Sequence, residues 1–228
     1  MNNFIVLNKV SKSFTVNRKI NVLNKVSYKF LKGKIYSIVG PSGSGKSTLL
    51  NIMSLIDRPT SGSIKIDNDQ ISFSNKNLND QIRAKKIGII YQQNNLLPDF
   101  TALENIYFAN LSLTNNKKRS VDIAKIIIKK MGLMNRANHF PSELSGGEIQ
   151  RIAIARALIN KPDIILADEP TGSLDRSNAN EVFKIISKLK SPKRIIIYAT
   201  HNRYFANMAD CKLEIIDGNI KPSNAKKY

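Results

Sequence analysis

One short run of residues restricts the possible folds of this chain more than any other feature. The run reads Gly-Pro-Ser-Gly-Ser-Gly-Lys-Ser-Thr over residues 40–48; it follows the apolar segment Ile35–Val39 and runs into a predicted helix over Lys46–Leu55. Its spacing fits the phosphate-binding loop pattern G-x-x-x-x-G-K-[ST]. The glycines let the backbone curl so that successive N–H groups point at phosphate oxygens, and the helix start adds its positive dipole. A strand, loop and helix of this kind predict an α/β fold that binds a nucleotide.

The residue types in this loop each have a chemical reason. Lys46 places a compact positive charge between the terminal phosphates, and the Ser47 hydroxyl is a ligand for Mg²⁺. The alternative is a glycine-rich turn that binds nothing, but the flanking strand and helix are those that the motif requires. The predicted nucleotide contacts are Gly40, Pro41, Ser42, Gly43, Ser44, Gly45, Lys46, Ser47 and Thr48.

A second buried strand is predicted to end in two neighbouring carboxylates. The segment Ile164–Glu169 reads Ile-Ile-Leu-Ala-Asp-Glu, and successive side chains of a strand point to opposite faces, so the two acids can have different functions. We expect Asp168 to reach Mg²⁺ through its water shell and Glu169 to orient or deprotonate an attacking water. An apolar run that ends in Asp-Glu is by itself equally typical of a plain strand end. The phosphate loop upstream favours the catalytic interpretation.

The rest of the chain alternates between strand and helix patterns. Phe4–Val10 and Val22–Phe30 alternate like antiparallel strands, whereas Ile195–Ala199 is an apolar run of the kind buried in a parallel sheet. Residues from about 95 to 160 have a helical pattern. We therefore predict one domain over residues 1–228, with a P-loop NTPase core built on a parallel sheet, an N-terminal antiparallel β subdomain and an inserted α-helical subdomain.

Capping boxes and a turn signal predict boundaries within this pattern. Thr101-Ala-Leu-Glu104 predicts the start of one helix, and Ser145-Gly-Gly-Glu148 predicts the start of another over Ile149–Ile159. Asp217-Gly218 predicts a hairpin between two short strands near the C-terminus.

The composition adds a strong positive charge. The chain has 36 Lys and Arg against 17 Asp and Glu, a formal net charge of +19. Such an excess suits a polyanion such as nucleic acid, nucleotide phosphates or an anionic membrane face. Heavy use of Ile, Lys and Asn, as an A+T-rich genome imposes, explains the same charge without a functional cause.

The sequence lacks a pair of cysteines and lacks a long apolar run, and both features bear on the cellular compartment. Cys211 is the single cysteine of the chain, so an internal disulfide is excluded and a reducing cytosol is expected. No apolar run approaches the length of about 18 residues that a membrane-spanning helix needs.

A third motif identifies a family. Leu-Ser-Gly-Gly-Glu over residues 144–148, together with the two motifs above, resembles the signature sequence of ABC-type ATPases. The resemblance extends along the whole chain and implies an ATPase that binds ATP and Mg²⁺. Gln92 lies where this family has its Q-loop, and His201 resembles its switch histidine. The implied catalytic residues are Lys46, Gln92, Glu169 and His201, and the implied metal ligands are Ser47, Gln92 and Asp168.

The resemblance also implies a homodimer. In this family the signature residues contact the γ-phosphate bound by the opposite protomer, so Ser145, Gly146 and Gly147 would complete the partner's site. Ser173-Leu174-Asp175 resembles the D-loop, and Asp175 is a further candidate nucleotide contact. The alternative is that the signature residues merely cap a helix. Two glycines in a first helical turn cost about 1 kcal/mol each relative to Ala, which favours a close approach of bare backbone to something else.

Several single residues keep an alternative interpretation. His201 competes with an ordinary structural histidine, but it directly follows the apolar strand Ile195–Ala199. Gln92 and Gln93 are adjacent, and the Tyr-Gln spacing favours Gln92. Phe14 lies where an aromatic ring stacks on adenine in this family, although an aromatic in a strand is often part of the core. His139 lacks such a context and is interpreted as structural.

Two segments resemble a subgroup of the family. Tyr91–Ile106 resembles the segment after the Q-loop in lipoprotein-releasing ATPases, and Ala167–Asp175 resembles a broader group that also contains macrolide exporters and a cell-division ATPase. Three positions depart from common family residues: Glu148 (more often Gln), Ile149 (often Arg) and Ser173 (often Asn). The change at Glu148 is typical of the subgroup, and the other two lie outside the chemistry.

This resemblance implies a function and partners. It implies an ATPase at the cytoplasmic face of the bacterial inner membrane, peripheral to integral-membrane permease subunits, that energises the release of lipoproteins from that membrane. The alternatives are a cell-division-type regulatory ATPase and a macrolide or peptide exporter ATPase. A nucleic-acid-associated ATPase is a remote alternative that only the charge suggests, so we expect no nucleic acid partner. The basic surface is compatible with an anionic inner leaflet.

One apolar cluster has no place in the nucleotide chemistry. Leu96, Leu97, Pro98 and Phe100 follow the Q-loop position, and ordinary core packing is one explanation for them. In the family this region borders the groove that receives the permease, which is the other explanation.

Overall fold

The computed structural model describes residues 3–15, 18–93 and 95–223, and within these ranges it contains ten strands and seven α-helices. The strands are β1 (Asn3–Thr15), β2 (Lys19–Leu31), β3 (Ile35–Val39), β4 (Ser61–Ile66), β5 (Asp69–Gln70), β6 (Ile87–Ile90), β7 (Ile164–Asp168), β8 (Ile195–Ala199), β9 (Cys211–Ile216) and β10 (Asn219–Pro222). The helices are α1 (Lys46–Met53), α2 (Lys76–Lys86), α3 (Ala102–Thr114), α4 (Lys117–Lys130), α5 (Gly146–Leu158), α6 (Arg176–Lys188) and α7 (Arg203–Ala206).

The N-terminal strands form an antiparallel sheet in the order β2-β1-β4-β5. Ile5 of β1 pairs with Ile66 of β4, and Leu7 pairs with Ile64. All four of these side chains are buried, because alternate residues of a strand face the same side of the sheet. This sheet is the predicted antiparallel β subdomain.

The central sheet has six strands in the order β10-β9-β3-β8-β7-β6. Five of them are parallel, and β10 returns antiparallel to β9 through the predicted Asp217-Gly218 turn. Ala199 at the end of β8 lies opposite both Ile38 of β3 and Asp168 of β7. The carboxyl ends of these three strands therefore meet at one edge of the sheet, where ligands bind in open α/β folds.

Apolar side chains cover both faces of the central sheet. One buried cluster fills the space between the two sheets and includes Leu49 and Ile52 of α1. A second packs Val182 and Phe183 of α6 against the other face. All five residues of β8 are buried, as expected of a central parallel strand.

Helices α3, α4 and α5 pack around their own apolar cluster, with Ile106, Ile128 and Ile152 fully buried. Asn160 ties this cluster to the rest of the fold. Its side chain donates to the carbonyls of Ala84 (3.0 Å) and Ala109 (2.9 Å), and its oxygen accepts from Asn110 at 2.8 Å. The predicted inserted helical subdomain is therefore present and connected to α2.

The structure differs from the sequence-based expectations at several boundaries. Both predicted capping boxes form, but α5 begins at Gly146 and not at Ile149. Helix α1 ends at Met53 and not at Leu55. Strands β4 and β5 and helix α2 were not predicted. The only buried residue of α2 is Asn79, so the helix lacks the apolar periodicity that sequence patterns detect.

Candidate nucleotide-binding site

The phosphate loop connects the end of β3 to the start of α1. Gly45 is the N-cap of α1 and has a φ of 102°. A Cβ at this position would lie 3.0 Å from the side chains of Val22 and Leu23, so both the dihedral angle and the space require glycine. No side chain caps α1, and its first turn contains no acidic residue. The N–H groups at the start of α1, which have no carbonyl partner within the helix, are therefore available to an anion.

Lys46 places its charge inside this loop. Its side chain is mostly buried, and Nζ donates to the carbonyls of Gly40 and Pro41, both at 2.9 Å. An ammonium group has three protons, so one donor remains for a phosphate oxygen. The loop thus orients the cation before any phosphate binds.

The acidic pair lies at the end of β7, beside the phosphate loop. Glu169 has a φ of 45° and is 9% exposed. Its Oε1 lies 3.0 Å from Nδ1 of His201, whose own side chain is largely exposed. A non-glycine residue in the left-handed region is strained, and such strain is concentrated at functional sites. The pairing of Glu169 with His201 joins the ends of β7 and β8.

Asp168 has a different environment. Its Oδ1 is buried and makes no hydrogen bond with the described residues. A buried carboxylate oxygen without a partner is costly unless a cation or water satisfies it. This oxygen, the Ser47 hydroxyl and the Gln92 amide oxygen are all hard oxygen donors, which are the ligands that Mg²⁺ prefers. The residues present therefore fit a magnesium ion.

A cavity of about 440 Å³ brings these groups together. It is lined by Val22, Ser42, Gly43, Gly45, Lys46, Ser47, Thr48, Gln92, Asp168, Glu169 and His201. Ten of these eleven residues were predicted from the sequence. Val22 was not, because a valine in a strand carries no signal of a ligand. Of the two adjacent glutamines, Gln92 lines the cavity and Gln93 does not.

The other predicted loop residues lie behind this lining. The carbonyls of Gly40 and Pro41 hold Lys46, and Ser44 Oγ is buried without a hydrogen-bond partner among the described residues. Phe14 lies outside the lining: its ring is 41% exposed, and Nζ of Lys12 is 4.8 Å from the ring centroid. Adenine stacking on Phe14 therefore stays a prediction.

The signature residues lie outside the lining of this cavity and form the start of α5. Ser145 is the N-cap: its hydroxyl accepts from the Glu148 N–H at 3.4 Å, and Glu148 Oε2 accepts from the Ser145 N–H at 2.8 Å. Gly147 is buried, and a Cβ there would overlap Oδ1 of Asn178. The glycine at 147 is therefore already required by packing within the chain. At exposed Gly146 a Cβ would only touch Leu174, at 3.4 Å.

Asp175 caps the neighbouring helix α6. Its Oδ1 accepts from the backbone N–H groups of Ser177 (2.9 Å) and Asn178 (3.1 Å). The hydrogen bond from the Asn178 side chain, followed by that from its backbone, lowers the pKa of Asp175. Asn178 thus contacts both the D-loop aspartate and the signature glycine, which connects the starts of α5 and α6.

This geometry defines a class of protein. A buried cation inside a glycine-rich loop, close to carboxylates at the end of a neighbouring strand, is the arrangement of P-loop nucleotide hydrolases. Comparison with known proteins gives the family: the sequence model for ABC transporters matches residues 23–172, more than half of the chain. The chain belongs to the ABC transporter family, and it is the ATP-hydrolysing component that energises transport.

Curated relatives cover almost the whole chain. The lipoprotein-releasing system ATP-binding protein LolD of Rickettsia bellii is 43% identical over 97% of this chain and 99% of its own length. LolD 1 of Chlorobium chlorochromatii is 38% identical over 96% of this chain and 91% of its own. An uncharacterized ABC transporter ATP-binding protein of Thermotoga maritima is 41% identical over 89% of this chain and 87% of its own.

Solved structures agree with this assignment. The ATP-binding cassette MJ0796, in a dimeric post-hydrolysis state bound to ADP and Pi, superposes with a TM-score of 0.90 at 35% identity. A second dimeric structure of this bacterial ABC transporter cassette gives a TM-score of 0.89 at 36% identity. Each comparison covers 98% of this chain and 100% of the solved one. The fold class predicted from the sequence is therefore confirmed.

In the part of the chain that the structure describes, no helix has both the length and the apolar character needed to cross a membrane.

Proposed function

We propose that this chain, taken as one cassette over residues 1–228, is the ATPase subunit of a lipoprotein-releasing machine in the bacterial inner membrane. The observation that carries the proposal is the near-complete match to LolD proteins, with 43% identity over 97% of the chain in one case. The resemblance of the segment Tyr91–Ile106 to the same subgroup also supports it. The subunit would lie at the cytoplasmic face, peripheral to its membrane partners.

The hydrolytic half-site is proposed to lie within one chain. The phosphates of ATP would bind the N–H groups of the phosphate loop, with Lys46 donating its remaining proton to a terminal phosphate oxygen. Glu169 would accept a hydrogen bond from the attacking water. As the water oxygen bonds to the γ-phosphorus, the bond to the bridging oxygen breaks, and ADP and inorganic phosphate are the products. The water proton passes to Glu169, and His201, 3.0 Å away, holds that carboxylate in place.

The metal site is proposed to use the oxygen donors beside this half-site. Ser47, Gln92 and Asp168 would hold Mg²⁺, and the unsatisfied Asp168 Oδ1 supports this choice. When bound, Mg²⁺ would neutralise charge on the phosphates and orient them.

The second half-site is proposed to come from another copy of the chain. Ser145, Gly146, Gly147 and Asp175 would face the nucleotide that the partner's phosphate loop binds. The capping box uses the N–H groups of Ser145 and Glu148. The backbone N–H groups of Gly146 and Gly147 are not used by the capping box, and at the start of a helix they have no acceptor within it. The dimeric form of the two similar solved structures supports a homodimer.

A permease contact is proposed for the apolar cluster after the Q-loop. Leu97 is 45% exposed and Phe100 is 37% exposed, and the Phe100 ring also contacts Phe108, with 4.9 Å between the centroids. Burial in the core therefore does not account for Leu97. Buried Asn105 holds this segment rigidly: its side chain accepts from the Leu97 N–H at 2.7 Å and donates to the carbonyl of Phe100 at 2.9 Å. A fixed, exposed apolar surface is suited to a protein partner.

Copurification tests the proposed function. A tagged Glu169→Gln chain would be expressed in its own cells, trapped with ATP and extracted in mild detergent, and the copurified proteins would be identified by mass spectrometry. We expect large membrane proteins with periplasmic domains. The matched control is Glu169→Gln with Leu97→Asp, which should keep the fold and lose these proteins. Recovery of a small division protein would instead support the regulatory ATPase, and nucleic acid without membrane proteins would contradict the proposal.

A further inference from the structure

A cluster of charged and polar side chains surrounds the start of α5. Arg136 Nε donates to Glu148 Oε1 at 2.9 Å, and Arg136 Nη1 lies 3.3 Å from His139 Nε2. The other Glu148 oxygen, Oε2, accepts from the Ser145 N–H at 2.8 Å. Both oxygens of one carboxylate are therefore used, one by the signature turn and one by a cation from a preceding short helical turn.

The carboxylate of Glu148 is mostly buried and carries a negative charge. Its side chain is 16% exposed, against 40% for Arg136. The hydrogen bond from the Ser145 backbone, followed by the one from Arg136, lowers the pKa of Glu148. A fixed negative charge thus lies within the first turn of α5, next to Gly146 and Gly147.

This charge has a consequence for nucleotide binding in trans. A triphosphate that approaches the start of α5 meets positive helix-end N–H groups but also the Glu148 carboxylate, and the two effects oppose each other. A neutral Gln at this position would accept the same Ser145 N–H bond without the charge. A chain with Glu here needs a cation to neutralise it, and Arg136 is the cation in contact.

We propose that Arg136 is a positioning residue for the ATP-bound dimer: through Glu148 it holds the Ser145 cap and cancels a negative charge that would repel the partner's nucleotide. This inference rests on the role in trans that we propose for the signature residues. Asn178 packs against Gly147 in the same turn, so two neighbouring side chains hold it. Arg136 touches no nucleotide in this scheme and acts only through Glu148.

Dimerisation of the hydrolysis-impaired chain tests the inference. Four proteins are compared at fixed ionic strength and saturating ATP by analytical ultracentrifugation: E169Q, E169Q/R136M, E169Q/E148Q and E169Q/R136M/E148Q. We expect R136M to raise the dimer dissociation constant about tenfold when Glu148 is present. In the E148Q background the increase should be less than about twofold, because the uncharged amide needs no neutralising cation. Binding of a fluorescent ATP analogue to the monomer should be unchanged in all four, since the phosphate loop is in cis.

The matched control is Lys190→Met in the E169Q background. Lys190 forms an exposed pair with Asp210, at 2.6 Å, and its loss changes the net charge by the same amount as R136M. It follows α6 and precedes the amino end of β8, at the edge of the sheet away from the site, so it should leave the dimer unaffected.

The possible outcomes separate this inference from the proposed dimer. If E169Q itself stays monomeric with ATP, the proposed dimer fails and this inference fails with it. If E169Q dimerises but R136M has no effect, or has the same effect with Glu148 and with E148Q, the proposed dimer stands. Only the role inferred for Arg136 is then wrong. If R136M lowers the melting temperature by more than about 5 °C, Arg136→Lys replaces it. That variant keeps a cation, so we expect a loss of about threefold that again disappears in the E148Q background.

Discussion

The phosphate loop and the signature turn each lead into the start of a helix, but the two helix starts differ in their caps and in the charge of their first turns. Helix α1 begins at Gly45, with no side-chain cap and no acid in its first turn. Helix α5 begins after Ser145, with a full capping box and Glu148 in its first turn. An uncapped helix start can bind an anion by itself, whereas a capped one with a carboxylate needs a neutralising partner. The first helix start therefore offers its N–H groups directly, and the second depends on neighbouring elements.

The largest effect is expected in the phosphate loop. Lys46→Met removes the cation that lies inside the loop, so kcat should fall by at least about 100-fold because charge on the transferring phosphoryl group loses its stabilisation. A phosphate-release assay measures the rate, and circular dichroism checks that the fold is kept. Activity within about tenfold of the native chain would contradict the assigned role.

Removal of one charge beside the loop should have a smaller effect. Asp168 Oδ1 is buried and has no hydrogen-bond partner among the described residues. Asp168→Asn removes the negative charge and leaves one side-chain oxygen in place of two. The Mg²⁺ concentration for half-maximal ATPase activity should rise about tenfold, with kcat changed less at saturating Mg²⁺. A Mg²⁺ titration at fixed ATP measures it. An unchanged midpoint would exclude Asp168 from the metal site.

The signature turn should respond through packing as well as chemistry. In Gly147→Ala the new methyl group displaces the Asn178 side chain, which breaks its hydrogen bond to Asp175, and we expect a loss of about 1–2 kcal/mol in unfolding free energy. Urea denaturation measures this. The double variant Gly147→Ala with Asn178→Ala should recover most of the stability.

The double variant also separates the two reasons for a glycine at this position. If its ATPase activity returns with its stability, Gly147 is needed only for packing within the chain. If stability returns and activity does not, the backbone at 147 also approaches a ligand in the dimer, as the family resemblance implies.

The smallest effect is expected in the unfolding free energy at acidic pH. The pKa of Glu148 is lowered from its ordinary value of 4.5 by the Ser145 N–H bond and then by Arg136. Its contribution to stability is therefore complete above pH 4.5 and is lost as the pH falls through the native pKa. Glu148→Gln should flatten this part of the curve of unfolding free energy against pH. Urea titrations below pH 5 would measure it, and an identical slope in both proteins would contradict the assignment.

Contiguous motifs were the most predictable part of the site. Residues 40–48 and the pair Asp168-Glu169 were identified from the sequence because each lies within a few residues of a strand end, and local geometry decides their placement. The contact of Glu169 with His201, at 3.0 Å, was not derivable from periodicity. The position of His201 after the apolar strand Ile195–Ala199 favoured a functional role, but the role itself came from resemblance to a family.

Elements without an apolar pattern were less predictable. Helix α2 is polar and β5 is two residues long, so neither has a usable period. Val22 enters the cavity lining because the N-terminal sheet packs over the phosphate loop. That packing is a long-range property, and a sequence pattern has no access to it.

The sequence by itself determined the phosphate loop, the strand that ends in Asp168 and Glu169, and both capping boxes, because backbone conformation and neighbouring side chains suffice for each. Only the tertiary structure decided how the signature turn is held. Arg136 meets Glu148 and Asn178 meets Gly147 because helices α5 and α6 and the turn before them pack in one arrangement. These contacts join residues that are distant in the chain, and their energies depend on burial, which exists only after the core has formed.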